Sequence, residues 1–135
     1  MDKILTTSKT AYKEALLSKE ARNCGIYIVL DGDSPLYIGK ASGQTIKRRL
    51  AEHTSHDNQF NSLAKKVSRL RNIPLDELDN AIDYIEENYS VILLPMPMHT
   101  YSGGKYFFDK EQKRAEINAK EKELIEKYKP LLNKL

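Results

Sequence analysis

A glutamate set in an apolar helix stripe is the first residue of this chain that could do chemistry. Residues from about 109 to 128 keep helical spacing, with Ile117, Leu124, Ile125 and Tyr128 as the apolar positions. At about 100° per residue, with Ile117 at zero, Leu124 falls at about −20°, Tyr128 at about 20° and Ile125 at about 80°. Glu121 falls at about 40°, inside that stripe, whereas Glu123 and Glu126 lie well off its centre. An inward carboxylate is costly unless something positive meets it, and a metal ion or a basic partner would serve. A basic side-chain stem lying over it, or a stripe at the rim of the domain, would serve as well.

Arg49 and His53 are four residues apart and so share one side of a helix. His53 lies about 20° from Ile46 in angle, beside the Ile46–Leu50 stripe, and is partly directed inward, and Arg48 points away. The planar guanidinium of Arg49 could clamp a phosphate through two hydrogen bonds. A histidine in this setting could also be a core residue with satisfied nitrogens. Tyr27 and Tyr37 each sit between aliphatic neighbours in short strand-like runs. Alternation turns Tyr27 away from Ile26 and Ile28, and Tyr37 away from Leu36 and Ile38, so the two phenols can share one sheet face. Strand tyrosines also serve as amphipathic packing residues.

The elements that must position these side chains follow from the pattern. Residues 8–21 read as a helix with Tyr12, Ala15 and Leu16 on one face, ended by Asn23 and Gly25. Residues 25–30 and 36–38 are two short strands joined by an Asp/Gly-rich turn, an antiparallel hairpin. The pattern turns helical around Ile46 and Leu50, after a polar loop from Lys40 to Gln44. Two more helices fit 58–71, on Phe60, Leu63, Val67 and Leu70, and 75–87, on Leu75, Leu78, Ile82 and Ile85. Residues 89–94 read as a third strand stopped by Pro95 and Pro97. The stretch from Met96 to Phe108, with Gly103-Gly104 in its middle, reads as irregular, and a last helix ends at Pro130. The expectation is one α+β domain over 1–135, a small three-stranded antiparallel sheet flanked by helices. Its core comprises about 24–55 and 89–133, and a helical insertion fills about 56–88.

Charge is segmented along the chain. Residues 40–71 carry eight basic and two acidic side chains, and residues 72–100 carry six acidic and no basic ones. A basic stripe of that kind attracts a phosphate backbone, or it pairs with the acidic segment as a solvated helical face. The single cysteine, Cys24, cannot form an internal bridge, so a reduced, cytoplasmic setting is expected, with no signal peptide and no membrane span. Walker-type and dinucleotide-binding glycine loops are absent, and the scattered His53, His56 and His99 make no zinc pattern. No small-molecule cofactor is expected.

Gly25-Ile26-Tyr27 followed by Tyr37-Ile38-Gly39 resembles the pair of tripeptides that names the GIY-YIG nucleases. Lys47-Arg48-Arg49-Leu50 with His53 resembles the family's helix carrying its essential arginine. Glu121, three before Leu124-Ile125, resembles its metal-binding glutamate, and Lys129-Pro130-Leu131-Leu132-Asn133 its usual ending. The resemblance spans about residues 24–133. The loop between Gly39 and Arg49 is longer than the family's usual spacing, which makes Arg48 the competitor. Arg49 is preferred because it precedes Leu50 and shares a side with His53.

The resemblance implies hydrolysis of DNA phosphodiester bonds with one divalent ion. Glu121 would hold Mg²⁺ or Mn²⁺, Arg49 would hold a phosphoryl oxygen, and Tyr27 or His53 would take the proton of the attacking water. Tyr37 would orient phosphate or water, and Asn133 would fix the site or touch the DNA backbone. Lys40, Lys47, Lys65, Lys66 and Arg69 are the expected non-specific phosphate contacts. The alternative is a catalytically silent DNA-binding or partner-docking domain on the same fold, and a structural α+β domain is the third reading. The helix pair 58–71 and 75–87 reads as a lid or partner surface, or as a helix-turn-helix with an unsuitably acidic second helix. A homodimer or a protein partner stays open.

Overall fold

The computed structural model describes residues 4, 8–55, 61–97, 99–102, 105–108 and 110–134, with backbone alone for 99–102, 105–108, 110 and 134. Strand β2 (Gly25–Asp31) is central because its run Ile-Tyr-Ile-Val-Leu supplies apolar side chains to both faces. It pairs antiparallel with β3 (Ser34–Ala41) on one side and with β4 (Tyr89–Pro95) on the other. A strand of two residues, β1 (Thr10–Ala11), joins the far edge of β4, so the order is β1-β4-β2-β3. The sheet therefore has four strands where the sequence pattern predicts three. Two residues are too few to show a period. The stretch expected to be irregular holds a separate antiparallel hairpin, β5 (His99–Ser102) with β6 (Lys105–Phe108). Gly103 and Gly104 between them lie outside the described residues, as do His56, Phe60 and Asp109.

Alternation along β2 divides the core in two. Tyr27 and Val29 face helices α1 (Tyr12–Ala15), α2 (Ile46–His53), α3 (Ser62–Leu70) and α4 (Leu78–Asn88), packing with Tyr12, Leu50, Leu63, Val67 and Ile85. Ile26, Ile28 and Leu30 face the other way with Ile38 and Ile92, and helix α5 (Lys110–Tyr128) covers them with Ile117 and Leu124. Each fully buried Ile or Leu contributes about 1.5–3 kcal/mol, so the two faces hold α2 and α5 against opposite sides of the sheet. One orientation departs from simple alternation. The β2–β3 register shifts between Val29, paired with Tyr37, and Leu30, paired with Pro35. Leu36 is the extra residue of that bulge, and it packs on the Tyr27 face instead of opposite Tyr37.

The single helix expected over 8–21 is broken. Thr10 and Ala11 are spent on pairing with Val91 and Ser90, which leaves α1 one turn long. The Ser18 hydroxyl donates to the Ala15 carbonyl at 3.0 Å and accepts from the Ala21 N–H at 3.3 Å, a local arrangement that competes with helix continuation. A 3₁₀ turn, Glu20–Arg22, follows. Tyr12 and Ala15 still face inward, as the periodicity requires.

α3 begins at Ser62, so the apolar stripe read over 58–71 is helical over its described later part, and α4 is preceded by a 3₁₀ turn at Leu75–Glu77. Asn72 ends α3 in a left-handed conformation, φ 58°, with the Ile73 N–H donating to the Ser68 carbonyl at 2.8 Å. Arg71 ties this corner to the sheet through Asp31 at 2.7 Å and lies over the Tyr84 ring. The α3–α4 pair is thus anchored to the Asp31 end of β2. No helix among the described residues is long and apolar enough to cross a membrane.

Candidate active site

The two tripeptides of the hairpin meet across the sheet. Tyr27 pairs with Gly39 in the β2–β3 register. A Cβ at position 39 would overlap the Tyr27 Oη, Cζ and Cε2, so only glycine lets the phenol lie across β3. Gly25 makes a similar close approach to β4, with φ 148° and no room for a Cβ against the Leu94 carbonyl. The Tyr27 hydroxyl then reaches His53 of α2, with 2.6 Å between Oη and Nε2. The Tyr37 ring packs at 5.5 Å from the His53 ring and 6.3 Å from Tyr27, on the same face.

α2 delivers both of its polar residues to this point. Thr45 caps it by accepting the Arg48 N–H at 3.2 Å, and the Ile46 N–H is held by the Asn23 carbonyl at 2.9 Å. The buried Tyr12 hydroxyl donates to the Leu50 carbonyl at 2.7 Å, on the helix's inner side. Arg49 is held by Glu52 at 3.3 Å and by the Ser62 hydroxyl at 3.5 Å. Arg48, its competitor in the sequence, is exposed on the solvent side. Glu52 and Ser62 escape sequence reasoning. The i+3 spacing of Glu52 to Arg49 was a usable signal, but Ser62 belongs to another helix and carries none.

The Glu121 carboxylate reaches the same region from the opposite side of β3. It is half-buried on α5, 3.9 Å from the Lys40 ammonium, which also donates to the Asn118 side chain at 2.6 Å. Its charge is close enough to raise the pKa of Tyr37, so the edge strand carries Tyr37 between the two halves of the site. Lys66 of α3 lies over the Tyr37 ring, its Nζ 5.0 Å from the centroid. Lys65 and Arg69 line a shallow groove with Leu75 and Leu78 beside it, and Lys47 is exposed on α2. The Asn133 amide is occupied within the protein: it accepts the Ile38 N–H and donates to the Ile38 carbonyl, both at 2.8 Å. It fixes β3 in place through the backbone.

Burial dominates the electrostatics. It pushes the Tyr27 phenol well above the ordinary tyrosine value, with Tyr37 adding to the rise and Arg49 opposing it. Tyr37 is raised by burial and by Glu121, again against Arg49. His53, fully buried beside Arg49 and Lys66, is pushed down to about 3 and is neutral at physiological pH. Both of its nitrogens have protein neighbours, Nε2 in Tyr27 and Nδ1 in the Leu63 N–H at 3.3 Å. Burial raises the Glu121 carboxyl, and Lys40 opposes that. Among the described residues, no three His, Cys, Asp or Glu side chains come together as a metal cage. A hard divalent ion that keeps most of its waters needs only one or two carboxylates, and a half-buried carboxylate gains from a cation. Glu121 fits such an ion.

A family model described as the GIY-YIG catalytic domain matches residues 23–90. That span includes both tripeptides, Arg49, His53 and the α3–α4 pair, and it stops short of Glu121. No curated protein and no solved structure matches the chain.

Proposed function

The chain belongs to the GIY-YIG family, and from that premise we propose that it is a metal-dependent endonuclease that hydrolyses DNA phosphodiester bonds. A nuclease-type domain is what the family match itself supports; DNA as substrate, the metal and the residue roles are our reading. One observation carries it. Tyr27, Tyr37, Arg49 and His53 converge at one point, and Glu121 approaches Tyr37 across the edge strand.

In this reading Arg49, oriented by Glu52 and Ser62, donates to a non-bridging phosphoryl oxygen and favours the pentacovalent transition state. Glu121 would hold Mg²⁺ or Mn²⁺, which would supply a Lewis acid to offset charge on the phosphate. As the water oxygen bonds to phosphorus and the ester P–O bond breaks, the water's proton must be accepted. Tyr27 is 1% exposed and His53 0%, whereas Tyr37 is only partly buried. The accepting role therefore falls to the phenolate form of Tyr37, not to the Tyr27 or His53 that the sequence nominates. Lys66 lies over the Tyr37 ring and Lys40 sits beside Glu121, and Lys47, Lys65 and Arg69 would extend a basic path for neighbouring phosphates.

The test is cleavage of supercoiled plasmid by the purified chain in Mg²⁺ or Mn²⁺. Cutting that falls at least a hundredfold, on the order expected for loss of a transition-state donor, in Arg49→Ala and in Glu121→Ala supports the reading. Binding without cutting, unaffected by Glu121→Ala, would establish the silent DNA-binding alternative instead.

A further inference from the structure

The α3–α4 pair does more than flank the site. The first turn of α3 touches His53 directly. The Leu63 N–H donates to His53 Nδ1 at 3.3 Å, and the Ser62 hydroxyl lies 3.4 Å from the same nitrogen. A backbone N–H can only donate, and its direction is fixed by the helix. Nδ1 must therefore be the unprotonated nitrogen of a neutral ring, which leaves the proton on Nε2. The Nε2–H then has one neighbour, the Tyr27 Oη at 2.6 Å. With the Tyr27 oxygen accepting from Nε2–H, its own hydroxyl proton is left to point away from the imidazole.

We infer that the first turn of α3 sets the polarity of the site: Leu63 N–H and Ser62 hold His53 as the Nε2–H tautomer, so that Tyr27 accepts from His53 and its own hydroxyl proton is turned away from the ring. Ser62 is the positioning residue. Its hydroxyl accepts from Arg49 Nη2 at 3.5 Å and donates to His53 Nδ1, so one side chain orients both the guanidinium and the imidazole. A chain of donors runs from Arg49 through Ser62 and His53 to Tyr27. With the opposite tautomer Tyr27 would donate inward to His53, and the direction of the Tyr27–His53 hydrogen bond would be reversed. Its effect on cleavage rests on the nuclease reading, but the core of the inference, the tautomer, is independent of activity.

The decisive measurement is a long-range proton–nitrogen NMR spectrum of the intact, histidine-labelled chain at pH 7, without metal or DNA. The expected pattern for His53 is an unprotonated, pyridine-like Nδ1 and a protonated, pyrrole-like Nε2. The reverse pattern, or two pyrrole-like nitrogens, overturns the inference. In Ser62→Ala the Leu63 N–H remains, so the tautomer should persist while the Nδ1 resonance moves further from the pyrrole range. An unmoved resonance removes Ser62 from the chain of donors. Plasmid cleavage by Ser62→Ala should fall roughly tenfold in kcat with KM unchanged, as for other orienting partners, and Ser62→Thr should restore it. If no variant and no wild-type chain cuts DNA while the spectrum shows the expected tautomer, the nuclease reading fails and the tautomer assignment stands.

Discussion

Tyr27 and Gly39 are partners across the β2–β3 ladder, and the phenol of the first fills the space that a side chain on the second would need. The two tripeptides are thus one steric unit. The glycine that ends the second lets the tyrosine that ends the first cross the strand to His53.

Gly39→Ala should therefore destabilise the fold and disarm it together. The overlap falls on the ring itself, which is buried, so relief requires shifting a packed side chain at a cost of about 1–3 kcal/mol. Urea denaturation should show a lower midpoint with an unchanged slope, and plasmid cleavage should drop even at temperatures where the variant is folded. Wild-type stability and activity in this variant would mean that the Tyr27 ring does not lie over position 39.

The pH dependence of cleavage should identify the proton acceptor. The Tyr37 phenol lies above its ordinary value, raised by burial with Arg49 opposing and Glu121 adding. The active form is the deprotonated one, so below that pKa its fraction grows about tenfold per pH unit. Single-turnover rates should climb with pH between about 7 and 9, and Tyr37→Phe should be slow with a flat profile. A Tyr37→Phe variant that keeps the wild-type slope would transfer the role to another group.

Acid should unfold the protein partly through His53. Its pKa falls from 6.5 in the unfolded chain to about 3 in the fold. Between those values the unfolded state binds a proton that the native state refuses, so stability drops as pH falls. The slope from this one group approaches about 1.4 kcal/mol per pH unit, and its contribution is intact above pH 6.5. Denaturation midpoints measured from pH 7 to pH 4 should decline less steeply in His53→Gln. Parallel curves would indicate that His53 is protonated within the native protein.

Asn133→Ala should act on stability before it acts on DNA. It removes both hydrogen bonds to the Ile38 backbone and leaves a part-buried donor and acceptor without those partners, a cost of about 1–3 kcal/mol. Measured in a Glu121→Ala background, DNA affinity should stay within about twofold, because a group engaged with Ile38 is not a phosphate ligand. A tenfold loss of affinity with unchanged stability would restore Asn133 to the DNA-binding surface.

The residues that bear chemistry were legible in the chain where local geometry forces them. Helical angle put Glu121 within an apolar stripe and Arg49 beside His53. Strand alternation turned Tyr27 and Tyr37 to one face, and a run of aliphatic residues made 25–31 a central strand. These features depend on periods of 3.6 and 2, which a linear sequence carries. The eventual environment of each side chain depends on contacts between distant segments, which no period carries. The pairing of Thr10–Ala11 with β4 broke the expected first helix, and the bulge at Leu36 reversed one side chain. Packing of α3 against α2 buried His53, brought Ser62 to Arg49 and gave Nδ1 a fixed donor in Leu63. That burial keeps Tyr27 and His53 from solvent and lowers the His53 pKa. Sequence alone therefore determined which groups could take part, and tertiary structure decided their protonation and roles, because desolvation and hydrogen-bond direction exist only once the segments are packed together.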